Sequence, residues 1–141
     1  MKLKKLMISI GVSSILFTHS AFAAGDQSAT YQNQRGSKMI LTWHSDSKKT
    51  GTLSGTFTTA VGNCKKDMRV PLPLVGYFNG NIISVTVNFP HCKQIVAMTG
   101  NLNGDQTSIH TLWLDANQAD DPQGKNWNTN IVGSDVYQII N

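Results

Sequence analysis

The sequence has no glutamate; all eight acidic residues are Asp. It has two cysteines, four prolines and only 14% charged residues. A chain without Glu, and rich instead in Thr, Asn and Gly, lacks the helix formers of a helical bundle or coiled coil. Low charge with frequent apolar clusters argues against disorder. Cys64 and Cys92, with His44, His91 and His110 scattered between and around them, show no CxxC or HxxxH spacing for a metal centre. No Ser–His–Asp order, carboxylate pair or Cys–His dyad indicates an enzyme. No internal repeat, linker or low-complexity tract breaks up the 141 residues, a one-domain length.

The formal charge of +4 invites a nucleic-acid reading. The N-terminus removes it. Lys2, Lys4 and Lys5 precede an apolar run from Leu6 to Phe17, and Ala21-Phe22-Ala23 supplies a small-x-small cleavage pattern. Residues 1–23 therefore read as a secretory signal peptide. The alternative, a membrane anchor, needs about 20 apolar residues, more than this run supplies. Cleavage takes away three of the twelve basic residues and no Asp, leaving nine against eight and a net charge of +1. No basic stripe remains for nucleic acid, and no membrane partner is expected. The expected product is a secreted chain, extracellular or periplasmic, with one domain over residues 24–141. In an oxidising compartment Cys64 and Cys92 read as a disulfide.

Residues 24–141 divide into short alternating segments separated by turn signals. Strands are expected over Ala29–Asn33, Lys38–His44, Gly51–Ala60, Val70–Phe78, Ile82–Phe89, Ile95–Leu102, Thr107–Asp115 and Ile131–Ile140. The segment with Pro71 and Pro73 should be an edge-like or interrupted strand. Asn79-Gly80-Asn81 and Asn103-Gly104 signal tight hairpins. Eight sequential strands would leave two exposed edges unless the sheet closes. The expected fold is all-β, an eight-stranded antiparallel up-and-down β-barrel with room for side chains or one small ligand.

Several ordered motifs carry a resemblance. They are Asn33-Gln34-Arg35-Gly36-Ser37, the run from Leu53 to Gly62, Val85-Thr86-Val87-Asn88-Phe89, Thr99-Gly100, Ile109 to Leu114, and Trp127 followed by Val132-Gly133-Ser134-Asp135. In this order they resemble the avidin/streptavidin family of biotin-binding proteins across residues 24–141. The resemblance implies biotin as ligand. The ureido ring of biotin offers one carbonyl acceptor and two N–H donors, while its thioether and aliphatic chain are apolar. Each polar atom needs a partner, because an unpaired buried one costs about 1–3 kcal/mol.

The resemblance implies roles residue by residue. Asn33 and Ser37 match donors to the ureido oxygen, and Phe57 stands where the family has a third donor, a Tyr hydroxyl. Thr59 and Asp135 match acceptors of the two ureido N–H groups. Val96 falls where a Thr contacts the ring sulfur. Phe89, Met98 and Trp113 match apolar walls, and Trp127 matches the Trp that covers a neighbouring subunit's ligand in tetrameric members. Asn63 and Gln94 fall near the ligand carboxylate. A Cys64–Cys92 bridge resembles the dimeric, rhizavidin-type subgroup, whereas Trp127 resembles the tetrameric members, so a homo-oligomer is implied, dimer or tetramer. The other readings of the same barrel are a lipocalin-like carrier of another small hydrophobic ligand and a secreted barrel that has lost ligand binding. The polar set Asn33, Ser37, Thr59 and Asp135 separates biotin from a lipid, which does not need it.

Overall fold

The computed structural model describes residues 26–47, 49–118 and 130–140. The expected signal segment and Trp127 lie outside the described residues. Eight strands follow in chain order: β1 (Gln27–Asn33), β2 (Lys38–Ser45), β3 (Thr50–Thr58), β4 (Leu72–Asn79), β5 (Ile82–Phe89), β6 (Gln94–Leu102), β7 (Ser108–Asn117) and β8 (Ile131–Ile140). Each pairs antiparallel with its successor, and β8 returns to β1 through the register Tyr31↔Ile139 and Asn33↔Tyr137. The sheet is a closed barrel, as the strand pattern predicts.

The alternation that marks each strand in the sequence is the alternation between interior and solvent. In β5, Ile83, Val85, Val87 and Phe89 are buried while Ile82, Ser84, Thr86 and Asn88 are exposed. Tyr31, Met39, Leu41, Leu53, Leu74 and Ile109 add to the same fully buried interior. Each such aliphatic or aromatic side chain stabilises the closed form by about 1.5–3 kcal/mol.

Two details differ from expectation. β4 is an unbroken interior strand of the barrel, paired on both sides and not an edge. Pro73 is tolerated because it opposes Thr56 near the start of β4, one residue before pairing with β5 begins at Leu74↔Val87. The turn at Asn103-Gly104 is a five-residue loop rather than a tight hairpin, since β6 ends at Leu102 and β7 begins at Ser108. Its side chains explain the length. Asn103 Oδ1 accepts from Ser108 N at 2.8 Å, Asp105 Oδ1 accepts from Thr107 N at 3.1 Å, and Gln106 takes the positive φ of 61°.

In an up-and-down barrel alternate connections share a pole. Residues 34–37, 59–71 and 90–93 therefore crowd one end, where β7 also finishes and β8 starts. Below that end β7 and β8 come together at Trp113↔Gly133. The indole of Trp113 lies over Gly133 so closely that any Cβ there would overlap its six-membered ring. Glycine at 133 thus sets the depth at which Trp113 rests. Gly133→Ala should push the indole inward, lower the melting temperature as overpacking of about 1–3 kcal/mol would, and shift the Trp emission; an unchanged melting curve and spectrum would refute this.

Candidate functional site

At the crowded pole the barrel interior is unfilled, leaving a cavity of about 260 Å³. Eleven of the twelve residues expected at the ligand line it: Asn33, Ser37, Phe57, Thr59, Asn63, Phe89, Gln94, Val96, Met98, Trp113 and Asp135. The twelfth, Trp127, lies outside the described residues. Cys64 and Cys92 also line it, joined as a disulfide. They come from strands and loops far apart in sequence, and barrel closure brings them together.

The polar end is built by the β1–β2 connection. Asn33 ends β1 and is 6% exposed; its Oδ1 accepts from the backbone N–H groups of Arg35 (3.1 Å) and Ser37 (2.8 Å). That capping turn needs a left-handed residue, which Gly36 supplies at φ 90°. With its oxygen committed to the backbone, the Asn33 amide presents its N–H₂ in the cavity that it and Tyr137 line. Ser37 Oγ accepts from Ala60 N at 3.0 Å, which leaves its hydroxyl proton free to donate. Thr59 is arranged the other way: its hydroxyl donates to Val61 O at 2.6 Å and accepts from Val61 N at 3.4 Å, so one lone pair remains to accept. Asp135 is 8% exposed. Its Oδ1 accepts from Gln34 Nε2 at 3.0 Å and faces Arg35 Nη2 at 3.5 Å, while Oδ2 has no partner among the described residues. Asn33 and Ser37 therefore present donors, and Thr59 and Asp135 present acceptors.

The walls are apolar. Phe57 and Phe89 meet edge to face with centroids 6.2 Å apart, and Met98 is 2% exposed. Phe57 offers its ring and no hydroxyl. Val96 packs against the core and offers no polar atom. Nearer the strand ends, Gln94 Nε2 donates to Asp115 Oδ2 at 3.3 Å and to Asn117 Oδ1.

Over the mouth, residues 59–71 and 90–93 are tied by more than the disulfide. Asp67, 1% exposed, accepts from the His91 side chain at 2.6 Å and from the backbone N–H groups of His91 (3.0 Å) and Cys92 (3.2 Å). Burial alone would raise its pKa; the hydrogen bonds from the His91 side chain and the Cys92 and His91 N–H groups outweigh it and hold the carboxyl below its usual range.

Asp67, Arg35, Tyr137 and Asp115 were not expected from the sequence. Two of them carry a legible signal: Asp115 and Tyr137 lie two residues beyond Trp113 and Asp135, on the same inward side of β7 and β8. Arg35 sits inside the Asn33–Ser37 motif. Asp67 has no pattern, because its partners come from a different loop. In Tyr137, burial and then the nearby Asp135 charge push the phenol pKa upward, so it stays a neutral hydroxyl. A second cavity at the opposite pole, lined by Trp43, Lys49 and Phe78 among others, holds none of the expected residues.

The barrel has known counterparts. The Avidin family model matches residues 23–140. Core-bradavidin is similar with a TM-score of 0.67 at 26% identity, covering 81% of this chain and all of its own. The rhizavidin–biotin complex is similar with a TM-score of 0.62 at 28% identity, covering 86% of this chain and 98% of its own. A shwanavidin variant in complex with biotin gives 0.60 at 25% identity, over 79% and 94% of the two chains. No curated protein matches the chain.

The Asp67 clamp has a pH signature. A carboxyl whose folded pKa is depressed stabilises the fold above its unfolded value, about 4, and loses that contribution as pH falls through the lower folded value. Asp67→Asn should lower the melting temperature at pH 5, and the gap from wild type should narrow by pH 3; a gap independent of pH would contradict the clamp.

Proposed function

The chain belongs to the avidin family, and on that premise we propose that it is a secreted, non-catalytic protein that binds biotin with high affinity. The observation that carries this reading is the segregation of chemistry within one cavity. Donors from Asn33 and Ser37 and acceptors from Thr59 and Asp135 meet at one end, and Phe57, Phe89, Met98 and Trp113 enclose the rest. A ureido group needs that mixture, because its oxygen accepts and its two N–H groups donate. Asp135 makes one of those bonds charge-assisted, which shortens and strengthens it. Asn63 and Gln94 take the tail end. The solved complexes of rhizavidin and of the shwanavidin variant with biotin support the ligand. Residues 24–141 are the working domain, released from the signal at 1–23 into the periplasm or the exterior, where the Cys64–Cys92 bridge is stable.

The loops of the mouth are held before ligand arrives. A bridge across 28 positions stabilises by about 3–4 kcal/mol in the chain-entropy model, and the Asp67 clamp acts on the same two loops. Ligand binding then has less ordering to impose.

The protein acts as a homo-oligomer in this reading. The outward positions of β4 to β8 carry no Lys, Arg or Asp. Val75, Thr86, Ala97, Leu114 and Val132 run in register across those five strands, and Tyr77, Ser84, Thr99 and Leu112 form the next row. Val75, Tyr77, Leu112 and Val132 are 62–75% exposed. An uncharged, partly apolar sheet face of this extent fits a second copy of itself.

Titration calorimetry of the oxidised protein with micromolar biotin should give saturable heat; heat equal to buffer dilution would overturn the assignment. Phe57→Tyr restores the third ureido donor and should tighten binding about tenfold, the equivalent of one hydrogen bond of about 1.4 kcal/mol. Unchanged or weaker binding would contradict the role given to position 57. For assembly, Leu112→Asp puts a charge into the outward rows and should reduce the mass measured by light scattering to that of one chain. A wild type that already elutes as a monomer would refute the oligomer.

A further inference from the structure

Two buried polar atoms in the cavity have no hydrogen-bond partner among the described residues: Trp113 Nε1 and Asp115 Oδ1. Both belong to β7. Trp113 presents a donor and Asp115 an acceptor. Buried polar atoms are almost always satisfied, and one left over inside a binding cavity points to a ligand atom that completes it.

Position along the strand says which part of the ligand that is. Thr111 pairs with Asp135 at the polar end, and its hydroxyl donates to Asp135 O at 3.1 Å. Asp115 lies four residues further along β7, about 13 Å of strand, in register with Val96 and Ile131. With the ureido ring at Asp135, the far end of the biotin tail lies beside Asp115. That end is a carboxylate in free biotin. Two carboxylates then share a partly enclosed site, and like charges there repel. The ionisable side chains lining the same cavity are Arg35, Asp135 and Tyr137. Arg35 faces Asp135. Around Asp115, β6 contributes Gln94 and Val96 and β8 contributes Ile131, all uncharged, so among the described residues lining the cavity no cation neutralises the pair.

An amide has the opposite character. It carries no charge, its N–H can donate to Asp115 Oδ1, and it retains an acceptor oxygen. We propose that Asp115 makes this pocket selective for biotin joined through its carboxyl in an amide, over free biotin. The inference rests on biotin being the ligand and deepens that reading by naming its chemical form.

Burial also pushes the Asp115 carboxyl upward, with the hydrogen bond from Asn117 opposing it. Free biotin should therefore bind more weakly as pH rises through the titration of Asp115, while the amide, which is uncharged, should be much less sensitive.

Competition calorimetry at pH 8 and pH 5 with biotin, biotin methyl ester and biotinamide tests this. At pH 8 the amide should bind about tenfold tighter than biotin, a difference of about 1.4 kcal/mol, with the ester between, since it removes the charge and supplies no donor. The gap should narrow at pH 5, and in Asp115→Asn it should fall toward unity at both pH values. Biotin binding as tightly as biotinamide to the wild type at pH 8 overturns the selectivity and leaves the biotin assignment standing. Absence of binding by all three overturns both.

Discussion

Everything at the pocket depends on the pairing of β1 with β8. That seam joins the first strand to the last, Asn33 to Tyr137, and converts a meander with two open edges into a barrel with none. It also brings together the two strands that carry most of the polar end. Asn33 lies at the end of β1, and Asp135 and Tyr137 lie on β8, more than 100 residues away in the chain. Without the seam the donors and acceptors would belong to different edges of one sheet. With it they share a cavity, each held in place by hydrogen bonds to the protein.

The interior of an eight-stranded barrel is narrow, so side chains fill it wherever they are large enough. Here the core side chains fill the middle of the barrel, up to the end where residues 59–71 and 90–93 lie. From there the inward positions become small, polar or ring-shaped. The pocket is the place where the packing sequence along each strand stops: Val87 gives way to Phe89 on β5, and Ile109 to Thr111, Trp113 and Asp115 on β7. Depth and chemistry are set by the same period-2 pattern, so a change of one residue in register would empty the site.

Much of this is legible in the sequence. Strand alternation is local, and the Val85–Phe89 and Ile109–Leu114 runs read correctly because each inward residue is buried by its immediate neighbours across the ladder. The ordered motifs, with the resemblance they carry, pick out the residues that line the pocket. Where reading falls short, the cause is non-local. Pro73 suggests an edge, yet the stagger between β4 and β5 leaves its missing N–H harmless. Asn103-Gly104 suggests a two-residue turn, yet side chains of Asn103 and Asp105 stabilise a longer one. Asp67 sits in a polar loop and looks like any solvated Asp until residues 90–93 fold over it.

That last carboxylate bears on how the two sulfurs are held together. With two cysteines in the chain, no wrong intramolecular pair exists. Asp67 holds the N–H of Cys92 itself, and Cys64 lies three residues before it. The loops that carry the sulfurs are thus aligned by hydrogen bonds that form without any oxidant. The hydrogen bonds and the bridge act on the same two loops, the former independent of redox conditions and the latter set by them.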